Sequence, residues 1–304
     1  GLSESATNRI LIDAQGTFTE QIVLKSYIDY NLNNSIVDLQ AGALYTIDDL
    51  NVACDSIIYG NATIKRTTAG TLGCVRTQNS GTNIKLYCNS LASSIGGTIV
   101  CTNGTIDVFC RSISSSTSSA VGVSIAAGVC TINGATVSKT IDDSFTLIQP
   151  SGGVLNFINC VITNTASTSQ STIVNVGATI NLIGGSVNSS AFRAITNNLG
   201  TLKAISCDVS AAGSDRCISH DAGSVYLRNL RVVSSATNAD GINCASATGL
   251  TIDNVTIIAD GSGASLEDNG GTPTVKVYGA CQSNKAVDGG VVQQVSTVLF
   301  DANV

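Results

Sequence analysis

Two aspartates in the second half of the chain have the type and spacing for acid–base chemistry. Asp215 and Asp240 each lie ten residues before a recurring apolar position, at Val225 and Leu250. If the chain repeats at this period, their carboxyl groups are neighbours on one face. A pair separated by about 5 to 5.5 Å is what a retaining glycosidase uses, one member as acid and base and the other as nucleophile. The alternative, which we favour, is that both are turn residues, because Asp is common in turns such as Gly-Ser-Asp-Arg and Asn-Ala-Asp-Gly.

Three basic residues fall beside this pair. Arg193 and Arg216 share a register, nine residues before the apolar positions of their repeats, and His220 lies near the same edge. Stacked arginines repel each other unless something anionic lies between them, which could be an acidic sugar or Asp215 with water. We expect His220 to lie at the surface. The candidate glycan-binding residues are therefore Arg193, Arg216, Asp215, His220 and Asp240; the candidate catalytic residues, in the alternative interpretation only, are Asp215 and Asp240.

An internal repeat must position these residues. The motif apolar-x-apolar-x-[usually Asn/Gly/Ser]-x-x-apolar recurs at spacings of 22 to 25 residues. Its first positions are Ile84, Ile106, Cys130, Leu155, Ile180, Leu202, Val225, Leu250 and Val275. Its three apolar columns hold 26 apolar residues in 27 places, and Gln282 is the exception. Such a repeat is typical of a solenoid, in which each unit buries its apolar face against its neighbours.

The position between the second and third apolar columns indicates the geometry. Seven repeats have Asn, Gly or Ser there, residue types that tolerate a left-handed backbone or form turns, and the first two have Cys88 and Cys110. A sharp corner between two short strands follows, with a third strand before the next repeat, as at 145–148, 173–176, 192–195, 217–219 and 242–244. The sequence thus predicts an all-β, right-handed parallel β-helix, a β-solenoid of at least nine coils of about 24 residues with three parallel sheets. Arg228 and Asp253 share a corner register, so we expect a surface ion pair.

The ends of the chain depart from the repeat. Residues 1–55 predict an N-terminal cap with irregular first strands at 10–12, 21–24 and 36–39, and residues 56–283 predict the parallel β-helix. Residues 284–304 predict a C-terminal capping or inter-chain strand, because the open edge of a solenoid invites aggregation unless it is covered.

Composition narrows the classes of function. The net charge is -6 and the 15 Lys and Arg are scattered, so a nucleic acid is not an expected partner. The longest nearly apolar stretch is too short to span a bilayer, so we expect no membrane insertion. Most of the 11 cysteines should be free and buried, with Cys160 and Cys207 two coils apart and too distant for a disulfide. No Cys-x-x-Cys pair occurs and there is a single His, so we expect no metal and no cofactor.

The repeat resembles the pectin-lyase-like superfamily of right-handed β-helices, which includes pectate lyases, polygalacturonases, phage tailspikes and adhesins. The local match is Asn238-Ala239-Asp240-Gly241-Ile242, which is similar to the Asn-Thr-Asp-Gly-Ile segment of polygalacturonases. Only Asp240 corresponds to a catalytic residue of that family. The next coil has Ser262 and Gly263 where the family has Asp-Asp, and the later Gly-His-Gly and Arg-x-Lys elements are missing.

The expected function follows from this architecture. We expect a non-enzymatic structural or receptor-binding protein of a virion, such as a phage tail spike or fibre, or a cell-surface adhesin, with a surface polysaccharide as candidate ligand. The expected location is the virion surface or the cell exterior. The resemblance implies a homo-oligomer, a trimer, or assembly with other virion or surface proteins. The alternative is a polysaccharide depolymerase, either a hydrolase or a lyase, on the same scaffold.

Overall fold

The fold is a parallel β-solenoid. A computed structural model describes residues 9–39, 45–67, 73–94, 96–116, 121–141, 145–165, 170–190, 192–213, 216–244, 249–260, 263–268, 274–285 and 291–294. Within these ranges the chain forms 31 strands and no helix. It follows that these ranges hold no helix long and apolar enough to cross a membrane.

The strands in chain order are as follows. The first nine are β1 (Ile10–Asp13), β2 (Thr17–Phe18), β3 (Ile22–Val23), β4 (Ile28–Asn31), β5 (Ile36–Asp38), β6 (Ile47–Asp48), β7 (Asp55–Tyr59), β8 (Thr63–Arg66) and β9 (Val75–Thr77). The next ten are β10 (Asn83–Tyr87), β11 (Ser90–Ser93), β12 (Ile99–Cys101), β13 (Thr105–Phe109), β14 (Ser112–Ser115), β15 (Val123–Ile125), β16 (Val129–Asn133), β17 (Thr136–Lys139), β18 (Val154–Asn164) and β19 (Ile173–Asn175). The remainder are β20 (Thr179–Ser189), β21 (Ile195–Asn197), β22 (Thr201–Ile205), β23 (Asp208–Ala211), β24 (Arg216–His220), β25 (Ser224–Ser234), β26 (Asp240–Cys244), β27 (Gly249–Ala259), β28 (Leu266–Asp268), β29 (Thr274–Tyr278), β30 (Gln282–Ser283) and β31 (Val291–Gln294).

Each coil contributes to three parallel sheets. Sheet 1 stacks the first strand of each coil, for example β10 on β13 on β16, and sheet 2 stacks the second, for example β11 on β14 on β17. The long strands β18, β20, β25 and β27 bend at the corner and belong to both. Sheet 3 holds the third strands in two runs, β3 to β15 and β19 to β28, joined through single bridges at Ile148. The predicted three-sheet arrangement is confirmed.

The interior is the set of predicted apolar columns. Ile84, Ile106 and Cys130 stack in register, and so do their equivalents in later coils, all at most 1% exposed. Gln282 is exposed because the last corner is one residue longer, so that Ser283 takes the inner position opposite Ile257. Burial of this continuous apolar column is the main favourable term in folding.

The predicted corner is confirmed where the sequence has Asn, Gly or Ser. The residues there have φ between 51° and 68°, in the left-handed region. They are Gly134, Asn159, Gly184, Ser206, Asn229, Asn254 and Gly279. Asn254 Nδ2 donates to Asn229 Oδ1 at 3.2 Å, a coil-to-coil bond that holds successive corners in line. Arg228 and Asp253 form the expected ion pair, with Nε and Oδ2 at 3.2 Å.

The solenoid begins well before residue 56. Strand β1 pairs in parallel with β4, which pairs with β7 and so leads into β10. The strands between residues 10 and 59 are therefore further coils of the same sheets. At the other end β31 pairs in parallel with β29, and residues 295–304 lie outside the described residues.

All 11 cysteines are buried and none forms a disulfide, as expected. Cys160 is opposite Gly185, which lies in the coil between Cys160 and Cys207, so the two thiols are two strand spacings, about 10 Å, apart. Burial raises the pKa of Cys207 to about 12, so its thiol stays protonated at neutral pH.

Candidate functional site

Sheet 3 brings together only part of the predicted site. Asp215 lies outside the described residues. The residue opposite Asp240 on the neighbouring strand is Arg216, not Asp215, so the predicted register of the two aspartates is wrong. The cause is a difference in turn length, because three residues separate β24 from β25 and four separate β26 from β27. The residue ten positions before the apolar column in one coil is therefore opposite the residue nine positions before it in the other, so Asp240 is opposite Arg216.

Arg216 and Asp240 lie at the start of their strands on the outside of the solenoid. The residues that follow them, Cys217 and Gly241, are buried, and a side chain at Gly241 would lie 2.3 Å from Ile257 Cγ2. Close packing at this glycine fixes the backbone beside Asp240. Asn238, in the turn before β26, has a φ of 66°, which directs the chain into the strand.

The outward column of sheet 3 completes the cluster. Ser219, Asn243 and Glu267 are in register, and they alternate with core residues Ile218, Ile242 and Leu266. Asn243 faces away from the core and is nevertheless 0% exposed, because neighbouring side chains cover it. We name Arg216, Asp240, Asn243 and Glu267 the acid cluster.

Hydrogen bonds connect all four side chains. Arg216 Nη1 donates to Asn243 Oδ1 at 2.5 Å, and Asn243 Nδ2 donates to Glu267 Oε2 at 2.6 Å. The Glu267 and Asp240 carboxyl groups are hydrogen-bonded to each other, and the amide of Ala264 donates to Asp240 Oδ1 at 2.9 Å. The buried amide of Asn243 thus holds a cation and a carboxylate in fixed positions.

The two carboxyl groups share a proton in mild acid, up to about pH 6. Burial, followed by the hydrogen bond with Glu267, raises the pKa of Asp240 to about 6, while the Ala264 amide and the charge of Arg216 act in the opposite direction. Two carboxylates in contact cannot both ionise without repulsion, so the titration belongs to the pair. A proton-sharing pair can act as both donor and acceptor of hydrogen bonds.

His220 is not where the sequence predicted it. Its side chain is 0% exposed and lies inside the solenoid, where Asn197 Nδ2 is 3.4 Å from its Nδ1. Burial lowers its pKa, so the ring is neutral at physiological pH. The expected surface position is wrong, because the inner column of sheet 3 is polar at this level and accommodates the imidazole. A ligand on the outer surface would not reach it.

Arg193 keeps its predicted register with Arg216. It lies two residues before Ile195, whose partner Ile218 lies two residues after Arg216. Its guanidinium carbon is 4.8 Å from the centre of the Phe192 ring, a cation–π contact. Arg193 therefore lies one coil beyond Arg216, beside the acid cluster.

Glu267 was missed by the sequence reasoning, although a signal was present. It lies 24 residues after Asn243, one coil period, whereas the resemblance to polygalacturonases points to Ser262 and Gly263 as the places for carboxylates. Ser262 is outside the described residues. A side chain at Gly263 would lie 2.3 Å from the carbonyl oxygen of Ala239, so no carboxylate fits there. Among the described residues, no group of three or more His, Cys, Asp or Glu could hold a metal ion.

The shared proton predicts how stability depends on pH. Because the pKa of Asp240 is raised to about 6, the stability that its protonated form gives is full below about pH 4 and is lost as pH rises through 6. Asp240→Asn cannot ionise and keeps both hydrogen bonds. We expect it to be more stable than the wild type by roughly 1 kcal/mol at pH 7.5, after allowance for solvent screening, with no gain at pH 4. Urea denaturation at both values measures this.

Glu267→Gln should give the same pH-dependent gain, since the proton belongs to the pair. The matched control is Asp107→Asn, the same change of carboxyl to amide on β13, several coils from the acid cluster. An equal gain in the control would show that the effect does not come from the acid cluster. An Asp240→Asn protein that is less stable than the wild type at pH 7.5 would contradict a shared proton.

No family model, curated protein or solved structure matches this chain. What sequence and structure together establish is a parallel β-solenoid with a hydrogen-bonded acid cluster on the outside of sheet 3.

Proposed function

We propose that this chain is a rigid, non-enzymatic surface rod that binds a glycan at the acid cluster. The observation that supports this is the bonded series from Arg216 through Asn243 to Glu267 and Asp240, held on an outer face by a fully buried amide. Sugar hydroxyl groups both donate and accept hydrogen bonds. A guanidinium donates and a pair of carboxyl groups accepts, and both are held in positions fixed before the ligand arrives.

The separation of the carboxyl groups favours binding over cleavage. Retaining glycosidases hold their two carboxyl groups about 5 to 5.5 Å apart, and inverting enzymes about 6.5 to 9.5 Å, with the sugar or a water between them. A hydrogen bond between Asp240 and Glu267 helps to raise the pKa of Asp240, which indicates that the two carboxyl groups lie closer together than either class of enzyme holds them. This geometry suits recognition of a sugar at the edge of the pair.

A second candidate function is a polysaccharide depolymerase. One observation favours it: the pKa of Asp240 is raised to about 6, and a general acid needs such a value to stay protonated near neutral pH. The resemblance of Asn238 to Ile242 to the polygalacturonase segment points the same way. In this candidate Asp240 is the acid and Glu267 the second carboxylate, in place of Asp215.

The setting that we propose is the surface of a virion, as a tail spike or fibre, or of a cell, as an adhesin. A stack of parallel coils with a polar exterior is a stiff scaffold, and the likeness to pectin-lyase-like β-helices, which include tailspikes and adhesins, supports this assignment. The partners are a surface polysaccharide and further copies of the chain, a trimer by the same likeness, or other proteins of the particle.

A glycan array of bacterial capsular and surface polysaccharides tests the binding function. We expect the wild-type chain to bind at least one polysaccharide, and Arg216→Gln and the double variant Asp240→Asn/Glu267→Gln to bind it at least about tenfold more weakly. The control is Arg231→Gln, which removes an exposed arginine from the sheet 2 half of β25 and should change nothing. A reducing-end assay on the bound polysaccharide should detect no product.

Two results would contradict the proposal that the chain is a non-enzymatic rod that binds a glycan at the acid cluster. Binding that Arg216→Gln and the double variant leave unchanged would remove the acid cluster from the site. Release of oligosaccharides by the wild type, abolished by Asp240→Asn, would establish the depolymerase instead.

A further inference from the structure

A second surface feature lies on sheet 1, away from the acid cluster. Four residues of consecutive coils are in register in one outward column: Lys203, Tyr226, Thr251 and Lys276. They line a groove of about 430 Å³ together with Thr201, Ser224, Gly249 and Thr274. We name this the lysine groove.

The groove is concave because of one glycine. Gly249 stands where the neighbouring coils have Ser224 and Thr274, and a side chain placed on it would meet nothing within 4 Å. The missing side chain leaves a depression beside Thr251. Tyr226 is half-buried, so its ring forms part of the wall, and the two lysines at the ends are exposed.

The lysine groove is positively charged in a chain whose net charge is -6. In the described part of the chain neither Lys203 nor Lys276 has a carboxylate partner within ion-pair distance. The acidic residue of the adjacent column, Asp253, is already paired with Arg228 at 3.2 Å. The two ammonium charges are therefore not neutralised by the protein.

The distance between the lysines sets the size of the ligand. Their Cα atoms are three strand spacings apart, about 14 Å. A ligand that meets both must be extended along the solenoid and carry at least two anionic groups. Between them it meets a tyrosine ring, on which the apolar face of a sugar can pack, and a border of hydroxyl groups.

We propose that the lysine groove binds a linear acidic oligosaccharide, with carboxylate or sulfate groups at Lys203 and Lys276 and a sugar ring against Tyr226. A nucleic acid fits less well. Its affinity depends on many phosphate contacts, and the lysine groove offers only two cations in an acidic chain. The groove is a site of its own, because its residues belong to sheet 1 and share none with the acid cluster.

Calorimetric titration of the full chain tests the groove. The probes are a sulfated heparin-derived oligosaccharide, a carboxylated oligogalacturonate, a neutral dextran oligosaccharide and a single-stranded DNA of similar length. We expect at least one acidic oligosaccharide to bind, more weakly at high salt because charges on the surface are screened. The dextran should not bind, and the DNA should bind more weakly. Binding of the sulfated or the carboxylated probe alone identifies which anion is recognised.

Variants locate the site. The double variant Lys203→Gln/Lys276→Gln should weaken binding at least about tenfold. Tyr226→Thr should weaken it several-fold, and threonine, like tyrosine, suits a strand. The matched control is Lys85→Gln, an exposed lysine of the same outward column beyond the groove. The proposal is wrong if neither acidic probe binds, if the double variant binds like the wild type, or if DNA binds more tightly than both.

The acid cluster serves to separate the two proposals. Asp240→Asn/Glu267→Gln should bind the acidic probes as the wild type does. If this variant loses them and the lysine variant does not, then the acid cluster accounts for all glycan binding and the lysine groove is not a site.

Discussion

Gly223→Ala should destabilise the chain by at least about 3 kcal/mol, or prevent it from folding. Gly223 precedes β25 and has a φ of 86°, which L-residues rarely adopt. A Cβ there would lie 2.0 Å from the carbonyl oxygen of Gly200 and 2.7 Å from its nitrogen, in the coil stacked against it. Both contacts are with backbone, so neither can swing aside, and the coils would have to separate locally.

The control is Gly249→Ala, the same change at the first residue of the next sheet 1 strand, β27. Its φ is not in the left-handed region and a Cβ meets nothing within 4 Å, so alanine should be neutral or slightly stabilising. Urea denaturation followed by circular dichroism measures both. Equal midpoints for the two variants would show that successive coils are not packed backbone to backbone at this turn.

Ala178 marks where this argument applies. Ala178 precedes Thr179 as Gly223 precedes Ser224, since Thr179 is in register with Val154 and Thr201 at the start of sheet 1 strands. Unlike Gly223, Ala178 does not have a positive φ. The Asn175 side chain forms that turn instead, since its Oδ1 accepts from the amide of Ala178 at 2.9 Å. Alanine is therefore tolerated in a coil whose turn is built by a side chain, and not in the coil of Gly223.

Most of the fold could be predicted from the sequence because two independent features of the repeat, its apolar columns and its corner residues, indicate the same stacking of coils. A strand register that slips by one residue turns every apolar side chain outward, so the columns from Ile84 to Val275 fix which residues stack. The corner residues agree independently, through their left-handed backbone. The coils before residue 56 were missed because their strands are short and their buried positions, such as Asp38 and Asp48, include charged residues.

The candidate site was less predictable because it depends on turns. Turn lengths vary from coil to coil without disturbing the core, and one extra residue after β26 moved the partner of Asp240 from Asp215 to Arg216. Glu267 lies on a strand of three residues, too short to show a pattern. Asn243, which positions the cluster, looks like any strand residue until its neighbours in space are known.

The interior of sheet 3 contains a polar ladder that no apolar pattern could reveal. Asn175, Asn197 and His220 stack in register, and all three are 0% exposed. Asn175 Nδ2 donates to Asn197 Oδ1 at 2.8 Å, and Asn197 Nδ2 donates to the carbonyl oxygen of Ala222 at 2.7 Å. Without these bonds, three coils would have buried polar groups without partners, which is costly in an apolar core.

Asn197→Leu should therefore cost about 3 kcal/mol of unfolding free energy. The leucine is apolar and fits a strand, yet it removes one acceptor of Asn175, the donor to Ala222 and the neighbour of His220 together. The cost should shrink in mild acid. The pKa of His220 is lowered by burial, so the stability that its neutral form gives is present above about pH 6.5 and lost as pH falls through the lowered value. The Asn197 amide beside Nδ1 favours the neutral ring, so its removal makes the ring easier to protonate, and the variant should lose less stability in acid than the wild type.

Asn181→Leu separates burial from hydrogen bonding as the cause. Asn181 also donates to an asparagine of the adjacent coil, Asn156, at 2.7 Å, but it lies on the outer face of sheet 1 and is partly exposed. Water can replace that bond, so this variant should lose less than about 1 kcal/mol. Comparable losses in the two variants would mean that the inner ladder is hydrated, and that burial contributes nothing to its strength.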